Sequence, residues 1–215
     1  MSTRALPLIL ALLAVSFGPA LADQGPKISG PPTASETVFV KSIQADLGQR
    51  FPTAADAEKA GYLRYTNADD TGAISYANLH WTSVDIKHPS QLWYDKNGKL
   101  LGADFSVSSI GTPRPHLFGV QPGRWYEFDE HIHYVAKNPK TGAAIYDKYV
   151  LLPKFVAAGG NPKNPQAATL VKMHLVPATS DVVRIFDFPS VWDLIVWVRP
   201  DPLGAFAEKN PAVKP

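Results

Sequence analysis

Near the C-terminal end, the run VWDLIVWV (191–198) is apolar at every position except Asp193. A strand with one face in water alternates apolar and polar residues, whereas a strand covered on both faces is apolar throughout. The run therefore predicts an interior strand with packed material on either side. It also singles out Asp193, because a carboxyl group inside such a strand must be hydrogen-bonded, paired, liganded or protonated. Two readings of Asp193 compete. It is either a surface residue or a partner of an arginine such as Arg184, or it is a ligand or acid lining a cavity.

The material that covers this strand must come from the rest of the chain. Ser35 to Arg50 carries Val38, Phe39, Ile43 and Leu47 at helical spacing, with Ser35 as a cap and Pro52 as a stop. Thr53 opens a second, Ala-rich helix that ends at Gly61. From Tyr62 the pattern turns to β. Tyr62 to Thr66 and Ala73 to Thr82 surround the polar turn NADDTG, and Gln91 to Asp95 and Lys99 to Ser108 flank Lys96-Asn97-Gly98. A Pro/Gly-rich bridge, GTPRPHLFGVQP (111–122), follows.

Beyond the bridge, Trp125 to Ala136 reads as a strand, Asn138 to Gly142 as a turn, and the return strand runs to about Val150. Short helices are expected over 151–159, interrupted early by Pro153, and over 164–175, before a β-rich run at 182–188. Helices and hairpins in mixed order, without regular β–α alternation, predict an α+β fold with a mainly antiparallel sheet and flanking short helices. A β-barrel-like sheet with helices is the alternative. Residues 35–198 are expected to form a single globular domain, with the bridge at 111–122 as the meeting point if it consists of two packed halves. Residues 23–34 read as a flexible N-terminal arm and 199–215 as a Pro-rich C-terminal tail.

The first residues carry an address. Arg4 supplies a positive start, Ala5 to Phe17 is an apolar run broken by Gly18 and Pro19, and Ala20-Leu21-Ala22 is an A-x-A cleavage site. A spanning helix needs roughly 20 apolar residues, so this run is too short for a stable anchor. Residues 1–22 are thus expected to be a signal peptide cleaved after Ala22, with no stable membrane anchor afterwards and a periplasmic or secreted product. The chain has no cysteine, so in an oxidising compartment its stability must come from its core rather than from disulfides. Lys and Arg total 21 against 19 Asp and Glu, and a chain so balanced gives no electrostatic reason to expect nucleic acid as a partner. The five Trp are expected to fill the core or to line a pocket for a small ligand.

One stretch concentrates groups that do chemistry, RWYEFDEHIHYV (124–135). In a regular strand Trp125, Glu127, Asp129, His131 and His133 share one face, and Tyr126, Phe128, Glu130, Ile132 and Tyr134 share the other, largely apolar one. Two His at i and i+2 lie about 7 Å apart and can converge on one ion. Neutral imidazole suits zinc, copper and non-haem iron, so a divalent transition metal held by His131, His133 and Asp129 is the expected cofactor. The same pattern is what a solvent-facing strand shows, with the polar side chains simply wet. The usual short hairpin register would place Lys148 opposite His131, where a cation opposes a metal.

Motifs for phosphate, dinucleotide and serine-hydrolase chemistry are absent, and so is any thiol nucleophile. The leading expectation is therefore an exported protein that binds a metal ion or small molecule at the His-x-His strand face. Two others stand beside it: a metal-assisted hydrolase or oxygen-using enzyme at the same face, and a structural envelope protein that self-associates as a homo-oligomer.

Overall fold

A computed structural model describes residues 26–78, 80–81 and 85–214, so the signal-peptide assignment over 1–22 lies outside the described residues. The first element is helix α1 (Ala34–Arg50). Thr33 caps it in place of Ser35: the Thr33 hydroxyl accepts from the Glu36 backbone and the Glu36 carboxylate accepts from the Thr33 backbone. Helix α2 (Ala54–Lys59) repeats the device with Thr53 and Asp56. Four strands follow: β1 (Leu63–Arg64), β2 (Ile74–Ala77), β3 (Gln91–Tyr94) and β4 (Leu100–Ser108). Then come β5 (Tyr126–Phe128), β6 (His131–Lys137) and β7 (Ala144–Leu151), helices α3 (Leu152–Ala157) and α4 (Ala167–Lys172), and strands β8 (Val182–Phe188) and β9 (Val191–Trp197).

The strands form two antiparallel sheets, one of six strands in the order β1-β2-β3-β4-β9-β5 and one of three in the order β7-β6-β8. The fold is α+β, and neither sheet closes into a barrel. β9 is buried at every position, as the apolar run requires. It lies between β4 and β5, so the larger sheet draws strands from both sides of the bridge at 111–122.

Each face of β9 has its own cover. Trp192, Leu194 and Val196 meet Phe39, Val40, Ile43 and Leu47 of α1. Ile195 and Trp197 lie on the opposite face with Trp93, Leu101, Tyr126 and Val213. Val213 belongs to the Pro-rich tail, which is folded back onto the sheet: the Trp197 backbone N–H donates to the Ala205 carbonyl and its indole N–H to that of Ala207.

The N-terminal arm, expected to be flexible, is held from Lys27 onward. The amides of Lys27 and Ile28 both donate to the Gly123 carbonyl. Arg124 is 2% exposed and pairs with the fully buried Glu36 at 3.2 Å, while its guanidinium also donates to the Gly30 and Pro31 carbonyls. A buried guanidinium needs all of these acceptors, and the arm supplies two of them.

The expected single strand over 125–136 is two strands in two sheets. Phe128 pairs with Val191 in the larger sheet and His131 with Phe188 in the smaller, and both ladders break at the same level, at Asp129-Glu130 and Pro189-Ser190. Pro189 has no N–H to give a ladder, which forces the interruption. The side-chain alternation is reset there. Trp125 is buried against α1. His131 and His133 instead face the aromatic group of Tyr65, Phe186 and Phe188 that joins the two sheets, a group on which Phe128 also packs. The shared face drawn through Trp125 and the histidines is therefore corrected by the bend.

Candidate functional site

His131 and His133 project from the central strand of the smaller sheet, and its register supplies their walls. His131 lies between Leu151 of β7 and Phe188 of β8, and His133 between Tyr149 and Phe186. The Phe188 ring stacks on His131 at 4.8 Å, and Phe186 stacks on His133 at 5.5 Å. Tyr65, the residue after β1, stands edge-on to His133 at 4.8 Å. Both histidines are buried, at 5% and 8% exposure, so this is not a wetted strand face. Ile132 and Tyr134 point the other way, into a separate core shared with Phe155 and Leu170 of the two short helices.

The two imidazoles converge, with Nε2 of His131 3.0 Å from Nε2 of His133. The other ring nitrogen of His131 is tied down, Nδ1 lying 2.6 Å from the backbone carbonyl of Asp129. A carbonyl only accepts, so Nδ1 of His131 carries the proton and its Nε2 presents a lone pair toward His133. Nδ1 of His133 is buried and has no partner in regular hydrogen-bond geometry; the nearby Lys148 backbone favours the protonated ring.

Burial keeps both rings neutral. It lowers His131 from the ordinary imidazole value against the pull of the Asp129 carbonyl. Burial, reinforced by His131 alongside, pushes His133 down to about 3. Neutral imidazole is the metal-binding form.

The remaining expectations resolve individually. Asp129 reaches the pair through its main chain, and the residue is exposed. Among the described residues no group of three or more His, Cys, Asp or Glu side chains is placed to hold one ion. Lys148 pairs with Tyr134, not His131. The 138–143 connection stays outside the ladder and a bulge near Val135 adds a residue, which together slide the register. The tryptophans are mainly core: Trp125 and Trp192 pack under α1, and Trp93 and Trp197 pack on the opposite face. A groove of about 870 Å³ runs between the N-terminal arm and the C-terminal tail past Arg124, Tyr126 and Trp197, and neither histidine lines it.

Asp193 neither faces solvent nor pairs with Arg184, which donates instead to the Arg64 carbonyl. Asp193 accepts from the Ser106 hydroxyl at 2.7 Å and from the Gln91 amide at 3.4 Å. The Gln91 carbonyl in turn accepts from the Tyr65 hydroxyl. A polar line thus runs from Asp193 through Gln91 to Tyr65, whose ring rests on His133. Sequence reasoning missed Asp104, which is equally buried on β4. Its signal, an acid within the strand LLGADFSVS, is the one that marks Asp193 in the last strand.

Comparison with family models, with curated proteins and with solved structures finds no match for this chain.

Proposed function

We propose that this is an exported protein that binds one first-row transition-metal ion between Nε2 of His131 and Nε2 of His133. The observation that carries the reading is the 3.0 Å approach of the two nitrogens. With metal–nitrogen bonds of about 2.0–2.1 Å, nitrogens that far apart subtend roughly 95° at the ion, within reach of tetrahedral and square coordination.

Two further features support it. The Asp129 carbonyl orients His131 through Nδ1, the usual way a ligating imidazole is held. The aromatic walls fix both rings and keep them neutral without a carboxylate in contact. In this reading Asp129 acts as an orienting acceptor, and the remaining coordination positions belong to water or to a small molecule that arrives with the ion. Two protein ligands suit a carrier or sensor better than a permanent structural site. The N-terminal segment read as a signal peptide would place the site outside the cytoplasm, where metal is taken from the surroundings.

The test is elemental analysis of the untagged protein after equilibration with Zn²⁺ or Cu²⁺ and desalting, beside H131A and H133A. About one equivalent in the wild type and a loss in both variants is expected. Equal substoichiometric metal in all three would refute the proposal.

A further inference from the structure

Asp104 and Asp193 are 4% and 2% exposed. On the β4–β9 ladder Ser106 lies opposite Asp193 and Asp104 opposite Ile195, which makes the two carboxyl groups diagonal neighbours on one face. Asp193 has two donors, the Ser106 hydroxyl and the Gln91 amide. Asp104 has one, the Trp93 indole N–H at 3.1 Å to Oδ2, and its Oδ1 is buried with no partner.

The elements packed around the pair bring no compensating cation. β3 contributes Gln91 and Trp93, β5 contributes Tyr126 opposite Asp193, and Tyr65 approaches from beside β1. Tyr65 and Tyr126 are the titratable neighbours, and burial keeps both phenols protonated. Among the described residues no lysine or arginine acts on either carboxyl group, and neither group takes part in an ion pair. Two adjacent carboxylates enclosed this way would be uncompensated buried charges, and such groups bind protons instead.

We infer that Asp104 and Asp193 form a proton-binding dyad that holds one proton near neutral pH, on Asp104. The donor count decides the side: two hydrogen bonds favour the ionised form at Asp193, while Asp104 has one donor and a bare oxygen. Burial raises both acids, and Asp193 raises Asp104 further.

The folded chain therefore keeps a proton that the unfolded chain releases near the ordinary Asp value of about 4. The dyad's contribution to stability is complete below that value and is lost as pH rises through the folded value. Over this range each such proton raises the unfolding equilibrium constant about tenfold per pH unit. The dyad makes the β4–β9 ladder, and through Gln91 and Tyr65 the wall of the histidine site, sensitive to alkaline surroundings.

The experiment is equilibrium unfolding of the metal-free chain from about pH 5 to about pH 9, for wild type, D104N and D193N, with infrared spectra of the carboxyl region. D104N is isosteric with the protonated acid. It is expected to remove about one proton from the pH slope and to abolish a protonated-carboxyl band that the wild type shows at neutral pH and D193N retains. A D104N slope equal to wild type would overturn the dyad, and loss of the band in D193N alone would overturn the assignment to Asp104. Should D104N fail to fold, the wild-type spectrum decides: a neutral-pH band that titrates away in alkali supports the dyad, and no band overturns it.

Discussion

Tyr65 follows directly on β1 of the larger sheet and His133 lies in the smaller sheet, yet the phenol ring stands edge-on to the imidazole with 4.8 Å between centroids. The hydroxyl of the same tyrosine donates to Gln91. One residue thus closes the histidine site and anchors it to the polar interior of the larger sheet. Tyr65→Phe keeps the ring and deletes the donor, leaving the buried Gln91 carbonyl oxygen without it. The expected loss is about 1–2 kcal/mol in denaturant unfolding, with metal stoichiometry unchanged because the hydroxyl is no ligand. Loss of metal in this variant would show that the phenol oxygen takes part in coordination.

Most of the fold is legible in the sequence where a single periodicity governs. The amphipathic stretch before Pro52 and the apolar run at 191–198 appear as the helix and the strand they predict, because each is set by its own burial pattern. The strand over 125–136 fails where a distant residue intervenes. Pro189 interrupts its partner, and the break at Asp129-Glu130 resets the alternation on which the shared face depended. The His-x-His pair itself is legible because its spacing is local. Its aromatic walls and the Tyr65–Gln91–Asp193 line come from five other segments, and only the register brings them together.

Arg124 tests how the N-terminal arm is held. It is enclosed with Glu36 and with the Gly30 and Pro31 carbonyls. Arg124→Met removes the cation and leaves Glu36 buried and unpaired, which typically costs about 3–5 kcal/mol. Burial alone would raise Glu36, but the Thr33 amide and Arg124 hold it low. The gain in unfolding midpoint from neutral pH to acid is therefore expected to be larger in the variant than in the wild type, where the Asp104–Asp193 pair alone supplies it. Limited proteolysis at Lys27 should also become faster.

Gly102 tests the packing beneath the acid dyad. A Cβ there would sit 2.8 Å from the Trp93 ring and 2.9 Å from the Val196 carbonyl oxygen. Trp93 is the donor that Asp104 depends on, so it cannot move without breaking that bond. Gly102→Ala should cost about 1–3 kcal/mol as overpacking, read from the chemical-denaturation midpoint. A neutral result would mean that the ring has room to shift.

The buried rings predict an unusual pH profile for metal binding. Exposed histidines lose metal as pH falls through about 6.5, because the proton competes for the nitrogen. Here burial lowers His131 and pushes His133 down to about 3, so the proton competes less for both nitrogens than it does for an exposed imidazole. Zinc or copper affinity measured by calorimetry should change little between about pH 7.5 and about pH 5.5, against a sharp fall for an exposed two-histidine peptide. A fall parallel to that peptide would place the metal on exposed histidines.

The most direct measurement is a long-range proton–nitrogen NMR spectrum of the six histidine rings during zinc titration of the metal-free protein. The account predicts that Nε2 of His131 and of His133 shift together and saturate near one equivalent, while Nδ1 of His131 stays protonated on the Asp129 carbonyl. Unchanged signals from these two rings, with response confined to His80, His88, His116 or His174, would contradict it.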